Sequence, residues 1–212
     1  MAHCHHDGNC GSSHEETTTG EEQWTLYRYV DFDKATCLNE LESNSLRNVL
    51  RPFHLRYDTS LPVLTSAVDE QLLLWIPFTQ VVKLKAIAVI GGGGGTSPSQ
   101  VELFINNEQL VDFSLIQGAK AVQTIQLAPP TTTSNNEWVE YPTKYTKFQN
   151  VQSLIMFFPS NFGAERTVIQ YIGLKGQATN YRREAVETVY EARPMSRGTS
   201  TGEDWRNFRA VE

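Results

Sequence analysis

Residues 71–90 read QLLLWIPFTQVVKLKAIAVI, and this stretch decides the fold. Its first part, 72–76, is a continuous apolar run, which is typical of a core strand. After Pro77, residues 81–90 alternate and predict a second strand, with Pro77 as the break between the two. One face of this second strand is predicted to carry Val82, Leu84, Ala86, Ala88 and Ile90. The opposite face is predicted to carry Val81, Lys83, Lys85, Ile87 and Val89.

Strand-like segments also follow this stretch at regular spacing. They are predicted at 100–105, 111–115, 122–127, 151–158, 167–174 and 185–190, with turn residues between nearly all of them. Before the stretch, Asp31 or Asp33 is predicted to cap a short helical turn that runs to about Cys37. About eight short strands without a long amphipathic helix indicate an all-β fold, an antiparallel β-sandwich or jelly roll.

The two ends of the chain have a different composition from the middle. Residues 1–23 hold four of the five histidines and no apolar residue larger than alanine after Met1, which predicts a disordered tail. Trp24 begins the predicted domain, 24–192, and residues 193–212 form a second tail rich in Ser, Thr, Gly and Arg. Trp205 and Phe208 in that second tail could be docking anchors or could pack back on the domain, and the sequence leaves both open.

Charge and cysteine content narrow the function classes. The net charge of −6 disfavours a nucleic-acid partner, which needs a clustered basic surface. No apolar run approaches the ~18 residues of a membrane span, so we expect no membrane partner. Three cysteines form no disulfide framework, which favours a reducing compartment. We therefore expect a cytoplasmic protein, with the nucleus left open as a second compartment.

Three stretches of the chain resemble the PITH domain family. They are CLNE at 37–40; DEQLL at 69–73, continuing through PFT at 77–79 and VKLK at 82–85; and KFQNV at 147–151, followed by YIGLKG at 171–176. This family includes stand-alone proteins and the C-terminal domain of proteasome-interacting thioredoxin-like proteins. The resemblance implies a jelly-roll sandwich similar to galactose-binding-like domains, association with the proteasome in the thioredoxin-linked members, and no catalytic residues.

The sequence departs from the family pattern in two places. Ser66, Ala67 and Val68 stand where a more acidic run is expected before Asp69. Five glycines, 91–95, replace a more polar loop.

Residue patterns for catalysis are weak, and we expect no enzyme activity. The chain has no C-x-x-C pair, and Cys37 is interpreted as a small buried hydrophobe. The glycine-rich segment 91–97 lacks the Lys of a phosphate-binding P-loop, so it is interpreted as a flexible loop between strands. Outside the first tail only His54 could act as a histidine base, which makes a catalytic triad improbable.

The first tail contains the one dense set of soft metal ligands. Its members are His3, Cys4, His5, His6, Cys10 and His14. Imidazole and thiolate suit Zn(II) or Cu, but the spacing lacks the regular pairs of structural zinc sites. We therefore expect no required cofactor, and adventitious metal binding is favoured over a physiological role.

The predicted partner site lies at the start of the deciding stretch. Asp69, Glu70 and Gln71 precede an apolar strand, so packing can fix the strand while the acids face a basic protein partner. Solvated acids at the strand start are the simpler interpretation. The leading function is a non-enzymatic protein-interaction module, with the proteasome as the partner implied by the resemblance.

Two alternative functions remain open at this point. One is a sugar-like ligand bound at the rim of the jelly roll, and the other is metal binding by the first tail. Trp75 in its apolar run looks like core, which counts against a sugar platform, whereas Trp138 and Tyr141 near a loop keep it open.

Overall fold

The computed structural model describes residues 24–129 and 139–179. Both predicted tails, the predicted strand at 185–190 and Trp138 lie outside the described residues, as do the predicted metal ligands of the first tail and the aromatic pair Trp205 and Phe208. None of the described helices is long and apolar enough to cross a membrane.

Eight strands and two short α-helices make up the regular structure of the described residues. The strands are β1 (Thr36–Leu38), β2 (Leu64–Thr65), β3 (Leu72–Gly91), β4 (Gln100–Ile105), β5 (Gln123–Gln126), β6 (Glu140–Pro142), β7 (Val151–Phe158) and β8 (Val168–Ala178). The helices are α1 (Leu46–Val49) and α2 (Phe113–Ile116). Three 3₁₀ turns lie at Leu26–Tyr29, Phe53–Leu55 and Glu108–Leu110.

The eight strands form one continuously hydrogen-bonded sheet with two halves, called here the first and the second sheet, and the long strand β3 belongs to both. Its first part, from Leu72 to Pro77, pairs with β1 on one side and β7 on the other, and β4 and β5 continue that sheet. Its second part, from Val82 to Gly91, pairs with β8 and β6, and β2 lies beyond β8. All of these pairings are antiparallel. The structure therefore confirms the predicted antiparallel β-sandwich class.

The main core is built from alternate residues of both parts of β3 and of the strands beside them. Leu72, Leu74 and Ile76 come from the first part of β3, and Val82, Leu84 and Ile87 from the second. Leu154, Met156 and Phe158 come from β7, and Ile169, Ile172 and Leu174 from β8. Burying each such side chain contributes about 1.5 to 3 kcal/mol, so this core is what holds the two sheets together.

Each sheet also has a covered outer face. Leu73, Ile155 and Phe157 of the first sheet form a second cluster with Phe104 and with Ile116 of α2. Ala86, Ala88 and Tyr171 of the second sheet form a third cluster with Trp24 and Phe53. A strand with both faces covered is apolar at consecutive positions, which explains the uninterrupted run 72–76.

Several strand predictions are confirmed. Gln100–Ile105 and Val151–Phe158 have the predicted bounds, and strands Gln123–Gln126 and Val168–Ala178 lie at the predicted places. The predicted strand at 111–115 is wrong, because α2 forms there and its N-cap Asp112 accepts a hydrogen bond from the backbone of Ser114. The predicted helical turn up to Cys37 is too long. The chain turns at Asp31, whose carbonyl accepts from the Ala35 amide, and Cys37 already lies in β1.

Pro77 does not separate two strands. The strand continues through it, and only the pairing with β7 is irregular between Pro77 and Val82. Proline lacks an amide hydrogen but keeps its carbonyl, and here the Pro77 carbonyl accepts from Asp31.

The predicted faces of the second half of β3 are wrong beyond Leu84. Leu84 pairs with Gly176 and Ala86 with Lys175, so Lys85 is an extra residue on β3. Such a bulge moves every later side chain to the other face of the sheet. Ile87 therefore joins the main core, while Ala86 and Ala88 lie on the outer face.

Candidate functional site

Asn39 organises the chain around the predicted partner site. It follows β1 with a positive φ of 67°, a conformation that asparagine tolerates better than most residues. Its side-chain amide donates to the Asp69 carboxylate at 2.7 Å and to the Gln71 carbonyl at 2.6 Å. Its side-chain oxygen accepts from the Val68 amide at 3.0 Å. One side chain thus holds the turn from Val68 to Gln71 at the start of β3.

The Asp69 carboxylate has a structural task. Besides the Asn39 amide, it accepts from the backbone amide of Gln71 at 3.0 Å. Both hydrogen bonds use Oδ1, and Asp69 is exposed, so its carboxylate holds the turn and also faces solvent. Its part in a partner contact stays a prediction.

Glu70 and Gln71 are half-buried. The Glu70 backbone carbonyl accepts from the Thr167 hydroxyl at 2.6 Å, which ties the turn to the segment before β8. The Glu70 carboxylate makes no hydrogen bond or ion pair with the residues that the structure describes. The Glu70 charge therefore has no internal partner among the described residues.

In the segment 66–68, which departs from the family pattern, the first two residues make hydrogen bonds that hold the fold. Ser66 is buried, and its hydroxyl accepts from the Thr167 amide at 2.9 Å. Ala67 donates its amide to the Asn39 carbonyl. Val68 is different, because 86% of its surface is exposed. The replacement of an acidic run thus changes the surface mainly at Val68.

An apolar and acidic surface surrounds the Asn39 turn. Leu41 is 52% exposed, and its amide donates to the Thr65 carbonyl, so the chain after β1 lies beside β2. A cavity of about 220 Å³ opens there. We call the whole region the Asn39 surface, and it comprises Leu41, Glu42, Pro62, Val63, Thr65, Val68, Asp69 and Glu70. Exposed apolar side chains within a polar surround are typical of a protein contact.

Sequence reasoning found only part of this surface. It singled out the acids but assigned no role to Asn39, although asparagine is a common residue at positive φ. It also missed Leu41 and Pro62, because a single exposed apolar residue in a loop has no periodic signal.

Among the described residues, neither Cys37 nor a cluster of metal ligands offers a reactive group. Cys37 is buried, as expected, and burial raises the pKa of its thiol, with the negative charge of Glu40 acting in the same direction. A thiol with a raised pKa is a poor nucleophile at neutral pH. Among residues 24–129 and 139–179, no three His, Cys, Asp or Glu side chains stand close enough to hold a metal ion.

The glycine-rich segment forms the connection from β3 to β4, as predicted. Gly94 and Gly95 have positive φ, and the Gly95 carbonyl accepts from the Phe162 amide. A strand follows this segment, whereas a phosphate-binding P-loop leads into a helix.

Trp75 and Tyr141, the two described aromatic residues considered for a sugar platform, both pack against apolar clusters. Trp75 is half-buried against the second cluster, and its indole nitrogen is buried without a hydrogen-bond partner. The hydroxyl of Tyr141 accepts from the Ala128 amide at 2.8 Å.

The chain is similar in sequence to proteins of one family. A family model described as PITH domain matches residues 16–194. The chain is 38% identical to PITH domain-containing protein 1 of Dictyostelium discoideum, covering 92% of both chains. It is 35% identical to PITH domain-containing protein 1 of Homo sapiens, covering 90% of this chain and 89% of the relative.

Solved structures show weaker likeness. A fucolectin from Morone saxatilis is 11% identical, with a TM-score of 0.49, over 72% of this chain and 48% of that one. The CBM32-3 module of a Clostridium perfringens glycoside hydrolase is 12% identical, with a TM-score of 0.45, over 72% and 97%.

Proposed function

The chain belongs to the PITH domain family, and from this membership we propose that it is a non-catalytic protein-interaction module. The observation that carries the proposal is the Asn39 surface. Leu41 and Val68 are exposed there beside acidic groups, while hydrogen bonds from Asn39 hold the backbone beneath them. A surface that is already ordered loses little conformational entropy when a partner binds, which favours affinity.

The proteasome is the partner that we propose for this surface. The support is the resemblance of the chain to the domain found in proteasome-interacting thioredoxin-like proteins. The partner should also carry basic groups at the contact, because Glu42 and Glu70 flank the apolar residues of the Asn39 surface. A cytoplasmic and nuclear location goes with this proposal.

The test is recovery of proteasome subunits from cytosol by the full-length chain and by the double variant Val68→Lys with Glu70→Lys. These changes place two positive charges on the Asn39 surface, whereas Asp69 is left intact because its carboxylate holds the turn. Loss of about 1.4 kcal/mol of binding free energy corresponds to a tenfold loss of affinity. We expect recovery, read by quantitative mass spectrometry, to fall by about that factor.

Leu115→Lys is the matched control, because Leu115 is 54% exposed on α2, outside the Asn39 surface. It should leave recovery unchanged, and all three proteins should melt at similar temperatures. Equal recovery by the wild type and the double variant would remove the Asn39 surface from the proposal. Absence of the proteasome from the wild-type sample would remove the partner.

A further inference from the structure

Arg51 is a buried cation with unused donors. It lies between α1 and the 3₁₀ turn Phe53–Leu55, and only 7% of its surface is exposed. One terminal nitrogen, Nη2, donates to the Asp58 carbonyl at 3.3 Å. The other two nitrogens, Nε and Nη1, are buried and have no hydrogen-bond partner. Buried donors of a charged group are normally paired, so these two call for an acceptor.

Arg56 lies in the same segment and also has a buried nitrogen without a hydrogen-bond partner. Its guanidinium carbon stands 3.9 Å from the centre of the Phe53 ring and 4.7 Å from that of Tyr57. Its Nη1 donates to the Phe53 carbonyl at 2.9 Å, while its Nε is buried without a partner. Stacking on aromatic rings uses the face of a guanidinium and leaves its in-plane donors for a ligand.

Tyr171 brings a hydroxyl to the two arginines. It projects from the outer face of β8 and is 1% exposed. It packs in one cluster with Phe53, the ring on which Arg56 stacks. Burial raises the pKa of Tyr171, and the positive charges of Arg56 and Arg51 act in the opposite direction. Its hydroxyl makes no hydrogen bond with the described residues. We call Arg51, Arg56 and Tyr171 the arginine cluster.

No described carboxylate forms an ion pair with this cluster. Burial lowers the pKa of Arg51, and the charge of Asp58 acts in the opposite direction from beyond ion-pair distance. The Asp58 carboxylate, which is the acid nearest in sequence to Arg56, is held by the amide and hydroxyl of Ser60 at 3.0 and 2.6 Å. Neither Arg51 nor Arg56 forms an ion pair with any residue that the structure describes. An uncompensated buried charge opposes folding, and a bound anion removes that cost.

We propose that the arginine cluster binds a phosphate group. Two guanidinium charges without an ion-paired carboxylate match the charge of a phosphate dianion better than that of a single carboxylate. Three unpaired N–H positions and a phenol hydroxyl can each donate to a different phosphate oxygen. Arg56, Tyr57 and Asp58 are half-buried and His54 is exposed, so the cluster lies under the surface with one edge toward solvent.

The experiment measures the melting temperature of the full-length protein in sodium phosphate, in sodium acetate and in sodium chloride at equal ionic strength. A ligand that binds only the folded state raises this temperature. We expect saturating phosphate to raise it by about 5 °C or more relative to chloride, and acetate to raise it by much less. Arg51→Met should remove the phosphate response, and without phosphate it should melt at or above the wild-type temperature, because the buried charge is gone.

Arg166→Met is the control, since Arg166 is an exposed arginine outside the cluster, and it should keep the full phosphate response. If Arg51→Met does not fold, Arg56→Gln removes the second cation and should reduce the response in the same way. No phosphate-specific rise in the wild type, or an equal rise in the cluster variants, would overturn the site. An equal rise with acetate would overturn the assignment to phosphate.

Discussion

At the scale of single residues, Asn39 does the most for the candidate site. Its amide group joins Val68, Asp69 and Gln71 through hydrogen bonds, and its own backbone has positive φ. Both properties favour asparagine, because few other side chains tolerate this conformation and also offer a donor and an acceptor.

Replacing Asn39 separates the two properties. Asn39→Gly keeps a backbone that tolerates positive φ and loses the side-chain hydrogen bonds, which should cost about 1 to 3 kcal/mol of unfolding free energy. Asn39→Ala loses the hydrogen bonds and adds strain, so it should cost about 1 kcal/mol more. Urea denaturation of both variants measures the difference. An alanine variant as stable as the glycine variant would contradict the backbone argument.

At the scale of elements, the pair β3 and β8 shows why a glycine motif occurs in this chain. Gly173 and Gly176 belong to the YIGLKG stretch of β8, which pairs with β3. A Cβ atom at Gly176 would overlap the carbonyl oxygen of Lys83 and approach Leu26 to 2.7 Å. A Cβ atom at Gly173 would lie 2.9 Å from the Trp24 ring. Because neither glycine has a side chain, β3, Leu26 and Trp24 can pack closely against β8.

Gly176→Ala is therefore expected to destabilise the domain by about 3 kcal/mol or more, because the contact is with backbone that cannot move independently. Gly93→Ala is the control, since no atom lies within 4 Å of the added Cβ and its φ is not positive. That change should be neutral or stabilise by up to about 1 kcal/mol. Thermal and urea unfolding compare the two variants. Equal stability of the two variants would contradict the prediction, because it would show that β3 can move away from position 176 at little cost.

At the scale of the whole molecule, two rigid sheets carry a long and mostly irregular connection. The chain between β1 and β3 contains only the two-residue strand β2, the helix α1 and one 3₁₀ turn among its regular elements, and the structure describes all of it. This connection contributes Arg51 and Arg56 of the arginine cluster and all residues of the Asn39 surface. Binding residues are commonly placed in this way on loops held by a rigid scaffold.

Metal binding by the first tail is a prediction that only the full-length chain can test. The candidate ligands His3, Cys4, His5, His6 and Cys10 lie outside the described residues, and the described residues hold no metal-binding group of three. We expect the full-length chain to bind Zn(II), as measured by calorimetry, while the melting temperature changes by less than about 2 °C. Deleting residues 1–22 should remove the binding. A large Zn(II)-dependent rise in melting temperature would contradict this prediction.

The fold class and most strands of this protein could be predicted from the sequence. Alternation and apolar runs report whether a residue is buried, so the strands at 100–105 and 151–158 could be read from local pattern. The family could be recognised because its motifs, such as YIGLKG, occur where close packing restricts the choice of residue.

Long-range contacts set which face each side chain of β3 occupies and which polar groups lack a partner. The bulge at Lys85 depends on pairing with Gly176 and Lys175, which lie far away in sequence. Long-range contacts also determine the hydrogen bond between Asn39 and Asp69. The same holds for the unpaired donors of Arg51. A local pattern reports burial through its period, but it carries no information about the atom on the other side of the contact.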